Sequence, residues 1–452
     1  MNPNPSRQRG AVAIMVAVSM FVLLAVVGLC VDAGLAYLVK ARLNAAVDSA
    51  ALAGARAVTT GNNQTEQIAS ARAAAADFFA ANIPNNYLLS SPRITSTNVT
   101  FSGGQATIDV VAEAPMPVSI MQIMNFTTLT PVAAAQTIRN DLDMALVVDT
   151  SGSLEDSAAT VRASAKIFLN KFNVTQDRIA LIHFASGVET DIPINPLARG
   201  FNRTSMNSKI TAYNFTGGTS SFEGMYRARE QLNTVPLASR STMRVVVFFS
   251  DGAPTSFGSY LTFKNQIDCN RPGSVDRILE WGGLGDLNSS KLDYVSDGCK
   301  TWRGSINTRN LQSAVRSLPE WYNARPASSN REFPVVTGTP RPVTADISTP
   351  ELLERNVLRA SRNLAESIAE KTRSEGIYVF TLGFGPGLKE AFASDTSTNG
   401  EMIMKCMANT ADALPRCRKP DQPLGMYCYA ATENDLTPCF SRLASAILRI
   451  TK

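Results

Sequence analysis

The stretch Met144-Ala145-Leu146-Val147-Val148-Asp149-Thr150-Ser151-Gly152-Ser153 runs from an unbroken apolar segment into a carboxylate and two hydroxyls. An apolar run without alternation reads as a parallel strand covered on both faces. Open α/β sheets bind ligands at the carboxyl ends of their strands, so Asp149, Ser151 and Ser153 fall where a site is expected. Their oxygens are hard donors, suited to a small divalent cation. Two later segments offer residues of the same kind, Gly217-Gly218-Thr219-Ser220-Ser221 and Ser250-Asp251-Gly252-Ala253-Pro254, the second directly after the apolar run 245–249. Taken alone, D-x-S-x-S also describes a plain strand-to-helix turn in which Asp149 or Ser153 caps the helix. The three loops together, in order, favour one metal site.

These loops resemble the von Willebrand factor A domain family and its metal-ion-dependent adhesion site. The resemblance implies one Mg²⁺ or Mn²⁺ held by the D-x-S-x-S loop, a threonine of a second loop and an aspartate of a third, partly through water. Carried over residue by residue, it implies Asp149, Ser151, Ser153, Thr219 and Asp251.

Outward from that stretch, strand and helix signals alternate from about residue 141, which predicts an α/β domain with a doubly wound, Rossmann-like parallel sheet over 141–452. Strands are expected at 144–148, 179–185, 245–249, 377–382 and, more weakly, 426–431, with 188–192 as a short antiparallel edge. Helices are expected at 154–172, 222–232, 351–373 and 436–448. His183 lies inside an apolar strand and reads as core. The segment 254–350 is too long for a plain connection. It is an insertion beginning on the metal face, with Trp281, Trp302 and Trp321 either selecting a partner or forming the insertion's own small core. Its later part, with Pro326, Pro334, Pro340 and Pro342, is expected to run as an extended arm.

The N-terminal 140 residues are of another kind. Residues 11–31 carry no charge and would form a helix about 31 Å long, enough to cross a bilayer's hydrocarbon core. A transmembrane helix behind a short cytoplasmic tail, 1–10, is therefore expected; a cleaved secretory signal and a prepilin-type signal at Arg9-Gly10 are the competing readings. Residues 32–82 are alanine-rich and should continue as helix with a break near Gly61-Asn62-Asn63. Their small side chains allow close packing, which serves either as an assembly surface for an oligomer or simply as good helix. Residues 83–140 read as a small α+β spacer with a β-hairpin around Gly103-Gly104.

Arg9-Gly10-Ala11-Val12-Ala13, the apolar span, Val31-Asp32-Ala33-Gly34 and the run from Leu43 to Ala55 are similar to the N-terminal region of TadG-like proteins of bacterial tight-adherence (Tad, Flp pilus) systems, which often carry an A domain after the anchor. This resemblance implies a single-pass inner-membrane protein with most of the chain periplasmic; a surface destination stays open.

The formal charge of +5, from 43 basic and 38 acidic residues, points to no nucleic-acid partner. With one histidine and no C-x-x-C pair, a zinc site is not expected among the seven cysteines. The six in the second half, Cys269, Cys299, Cys406, Cys417, Cys428 and Cys439, are expected as disulfides in an oxidising compartment, or else as buried thiols; fifteen connectivities stay open, pairing of sequence neighbours such as Cys269 with Cys299 being one of them. The function expected is a membrane-anchored pilus-assembly or adhesion protein. Its partner, a component of pilus or secretion machinery, would complete the cation's coordination with an acidic side chain. The alternative is a structural membrane scaffold whose A domain does not depend on metal. Metal-assisted catalysis is not expected: there is no phosphate-binding G-x-x-x-x-G-K loop and no H-E-x-x-H helix, and Asp156 and Glu223 read as solvated helix-start carboxylates.

Overall fold

The computed structural model describes residues 8–60, 64–102, 105–118, 121–124, 126–260, 273–276, 284–286, 317–324, 331–392 and 395–450. The chain divides into two compact units between Arg139 and Asn140.

The first unit opens with α1 (Gln8–Ala57), one continuous helix, followed by α2 (Gln64–Asn82). The large apolar side chains of α1 from Val12 to Val31 are exposed, whereas Val39, Leu43, Ala46, Val47 and Ala50 are fully buried. Those five recur on one helical face, and Ala71, Ala75 and Phe79 of α2 answer them. A Cβ added at Gly54 would stand 3.2 Å from the Ile108 side chain and 3.3 Å from the Ala71 carbonyl, so the small residue is what lets the helices close. Next come β1 (Arg93–Ser102), β2 (Gln105–Glu113), the two-residue strands β3 (Met116–Pro117) and β4 (Thr128–Leu129), and β5 (Val132–Asn140). The order β1-β2-β5 makes one small sheet, and β3 pairs antiparallel with β4. Alternation in β2 turns Ala106, Ile108, Val110 and Ala112 into the core shared with both helices.

The second unit has the expected α/β architecture. In chain order it consists of β6 (Leu142–Asp149), α3 (Ala158–Leu169), β7 (Arg178–Phe184), β8 (Val188–Ile192), α4 (Arg203–Thr211), α5 (Ser221–Thr234) and β9 (Met243–Ser250). These are followed by β10 (Ser256–Ser259), β11 (Gly273–Asp276), β12 (Leu284–Asp286), α6 (Pro350–Ser374), β13 (Tyr378–Phe384), α7 (Gly400–Ala408), β14 (Tyr427–Ala430) and α8 (Glu433–Ile450). The main sheet runs β14-β13-β9-β6-β7-β8, parallel except for the antiparallel edge β8. Every residue of β6, β7 and β9 is buried, because helices cover both faces. Ala145 and Val147 join the core under α5 and α6; Met144, Leu146 and Val148 join the one under α3 and α8.

The helices α4 and α7 were not anticipated: both are nine residues long, too short for a strong periodic signal. A 3-10 turn at Gly152–Leu154 precedes α3, which starts later than its periodicity implies. The largest correction concerns the insertion. Its start forms a small antiparallel sheet, β10-β11-β12. Its proline-rich end is no extended arm, since Phe333, Val335, Val343 and Ile347 are buried in the core with α6. Arg341 is buried there too, its guanidinium 2.7 Å from Glu366 and 3.0 Å from both Asn363 and Thr398. Prolines turn the chain, and the apolar residues between them fill the helix surface.

Cys406 pairs with Cys417 and Cys428 with Cys439, both between sequence neighbours; Cys30 is free and exposed. Cys269 and Cys299 lie outside the described residues. His183 is buried as expected, with polar partners: its Nδ1 is 2.7 Å from Asp191, and its ring packs on Tyr213.

Candidate metal centre

Because β6 and β9 are parallel neighbours, the loops that leave their carboxyl ends meet. Asp149, fully buried, accepts through Oδ1 from the Ser151 amide at 2.8 Å and through Oδ2 from the Ser250 hydroxyl at 2.5 Å. The Ser151 and Ser153 hydroxyls lie 3.3 Å apart, and Ser153 donates to Asp251 Oδ1 at 3.0 Å. Asp149, Ser151, Ser153 and Asp251 thus form one chain of polar contacts. The first loop is pinned to the second by Gly152 N to Gly217 O at 3.1 Å and Thr216 N to Thr150 O at 2.9 Å.

Thr219, on the second loop, is held through its backbone. Its amide donates to Thr255 Oγ1 at 2.9 Å, and its carbonyl accepts from the Thr255 amide at 3.0 Å. Its own Oγ1 lies 3.9 Å from the place a Cβ on Gly252 would take, beside Asp251. Below it, Ser220 Oγ donates to the Ser186 carbonyl and sits 2.6 Å from Ser256 Oγ, tying β10 to the same loop. Ser250 and Thr255 were not singled out from the sequence, although Ser250 stands next to Asp251 in the segment already quoted and Thr255 directly follows that segment.

Burial pushes the Asp149 carboxyl up to about 7, and the neighbouring Asp251 pushes in the same direction against hydrogen bonds from Ser250 and Ser151. Burial likewise raises Asp251 to about 6. Among the described residues, no lysine, arginine or histidine contributes to either. Two desolvated acids surrounded by hydroxyls and amides are pushed toward the protonated form. Two carboxylates and three hydroxyls are a hard, oxygen-only donor set of the kind Mg²⁺ or Mn²⁺ takes. Elsewhere, Glu366 lies beside Cys406 and Cys417, but those sulfurs are bonded to each other and unavailable to a metal.

Glu223 is not the solvated carboxylate expected. It is fully buried, accepting from the Gly258 amide at 3.1 Å and Tyr322 Oη at 2.7 Å, because the insertion folds over the start of α5. Asp156 is exposed. Of the three tryptophans, Trp321 is half-buried and bridges to Pro334, while Trp281 and Trp302 lie outside the described residues.

The sheet order, the edge strand and the loops after β6 and β9 define a von Willebrand A fold, and residues 143–273 match the von Willebrand factor type A domain family. Residues 10–57 match the Flp pilus-assembly TadE/G-like family, so the chain joins a Tad-type N-terminal helix to an A domain. No curated protein matches. Similar solved structures include the pilus adhesin SpaC from Lactobacillus rhamnosus GG, with 14% identity and a TM-score of 0.38 over 80% of this chain and 35% of that one. The vWF domain of the type V pili tip protein Mfa5 from Porphyromonas gingivalis has 15% identity and a TM-score of 0.37 over 70% and 98%. The PilB minor pilin from Streptococcus sanguinis has 13% identity and a TM-score of 0.39 over 80% and 79%. The chain spans about a third of the length of SpaC. At these scores the resemblances carry no functional argument.

Proposed function

We propose that this protein is a membrane-anchored, extracytoplasmic component of pilus assembly or adhesion that grips a protein partner through a divalent cation held by Asp149, Ser151, Ser153, Thr219 and Asp251. The observation that carries this reading is the pairing of two buried carboxylates, Asp149 and Asp251, with no side-chain cation beside them among the described residues. Mg²⁺ prefers six oxygens and gives up its waters reluctantly, so a position stays available for an acidic side chain of the partner. Two disulfides in the second unit fit an oxidising compartment, the periplasm, outside the inner membrane crossed by α1.

The test is capture of partners from native membranes by the detergent-solubilised full chain. Capture in Mg²⁺ that is lost in chelator and in Asp149→Ala is the expected result. Equal capture in all three conditions refutes a metal-dependent grip. A scaffold reading draws on the pilus-assembly match lying on the helical region, 10–57, rather than on the A domain. Pilus biogenesis that survives truncation after Arg139 would favour it.

A further inference from the structure

In the first unit, one end of the spacer is gathered around the place where α1 leaves its apolar span. Asp32, the first charge after that span, is buried, and its Oδ2 accepts from the Met121 amide at 2.9 Å. Met121 opens the 3-10 turn Met121–Met124, inside the connection between the paired strands β3 and β4. Phe126, whose amide donates to the Met121 carbonyl, is 51% exposed. The 3-10 turn Tyr87–Leu89 touches both β3 and α1. There Leu89 is 72% exposed and Leu88 37%.

The backbone at this second turn is unusual. Asn86, Leu88 and Leu89 have φ of 65°, 46° and 64°, a left-handed conformation that leucine seldom adopts. Strained backbone that presents leucines outward gains nothing in water, and such outliers cluster where a surface has a task. Along α1 the exposed apolar side chains continue past Asp32 to Tyr37 and Leu38; Lys40 and Arg42, both exposed, are the first cations after them. Apolar and aromatic groups giving way to lysine and arginine is the profile of a membrane–water interface. The Asp32–Met121 bond fixes the β3–β4 tip, and with it Phe126, at that level.

We propose that this end of the spacer is a lipid-contacting collar: Leu88, Leu89 and Phe126 dip into the interfacial layer of the same bilayer that α1 crosses. The occupant follows from continuity, because the patch adjoins a helix already committed to lipid. This inference rests on α1 being a membrane span.

The full chain is reconstituted into lipid nanodiscs and labelled with an environment-sensitive fluorophore, and nitroxide quenchers are placed on lipid headgroups or acyl chains. A label on the native Cys30 reports the span itself. Labels at Leu89→Cys, Phe126→Cys and Thr60→Cys, each in a Cys30→Ser background, report the collar and a control. Thr60 lies past the end of α1, whose stretch from Asp32 to Ala57 is about 37 Å long at ~1.5 Å per residue. The expected result is that labels at 89 and 126 lose most of their emission to headgroup nitroxide, while the label at 60 loses none. Labels at 89 and 126 behaving like 60, with Cys30 quenched, overturn the collar and leave the span standing. No quenching at Cys30 overturns both. Labels at 89 and 126 shielded from lipid and aqueous quenchers alike would mean that protein covers the patch, which also overturns the proposal.

A second variant separates membrane contact from a fold-stabilising role. Leu88→Gly/Leu89→Gly relieves the left-handed backbone, so the melting midpoint should rise while quenching at Phe126→Cys falls. A lower midpoint with unchanged quenching would mark the leucines as structural and overturn the collar.

Discussion

Strand β6 carries an aspartate near each end, and the two have opposite surroundings. At its start, Asp143 receives a bidentate grip from Arg178 at 2.7 and 2.9 Å, a contact from Arg199 at 3.3 Å and two hydrogen bonds from Ser241. At its end, Asp149 is equally buried but has only an amide and hydroxyls, with a second acid close by. The first carboxylate is neutralised from within the chain. The second has no ion-pair partner of that kind among the described residues, and that contrast marks the candidate site more sharply than the motif does.

The largest expected effect is at the satisfied end. Arg178→Met removes the bidentate partner of the buried Asp143, leaving Arg199 and Ser241, and should cost ~3 kcal/mol of stability, read as a drop in the urea midpoint. If Asp149→Ala destabilised the metal-free protein as much, the two ends would not differ as described. Next, at Mg²⁺ about 100-fold above Kd, binding should stabilise the wild type by ~2.7 kcal/mol against chelator, and Asp149→Ala should show none of it in thermal melts.

The third expectation concerns pH. Native Asp149 and Asp251 hold their protons up to about 7 and about 6, against 3.8 for an ordinary aspartate. Between those values the native state binds more protons than the unfolded one. The metal-free protein should therefore lose stability as pH rises from about 4 to about 7 and level off above. Mg²⁺ must displace those protons, so its affinity should climb across the same window. Melting curves and metal titrations at stepped pH check both; a metal-free stability that instead rises through the window contradicts the uncompensated-acid picture. The smallest effect is expected of Thr255→Val, which removes the acceptor for the Thr219 amide. At ~1 kcal/mol for one hydrogen bond, the metal-free melt should drop slightly, and the loosened Thr219 should lower Mg²⁺ affinity by less than about fivefold.

The strands and the residues of the site loops were legible because both are written locally: buried parallel strands as apolar runs, and their polar ends as Asp, Ser and Thr. Glu223 was misread for the opposite reason. Its first-turn position in α5 says solvent, and only the distant Gly258 and Tyr322 make it interior. The proline-rich segment misled similarly, since whether Phe333 and Val343 are covered depends on a helix that comes later in the chain. Thr255 was within the motif's reach, but its role lies in a backbone contact with Thr219 that side-chain chemistry does not announce.

The route of the chain through β6 has a mechanical meaning. β5 ends at Asn140 and β6 begins at Leu142, so the tether from the first unit enters the second at one tip of its central strand, and the candidate site lies at the other. β6 is paired in parallel on both sides, with β7 and β9. Tension between the N-terminal helix and anything held at Asp149 would load that strand lengthwise, against both ladders at once, in shear rather than by peeling an edge. A fold strung in this way would carry traction along a strand that is paired on both sides.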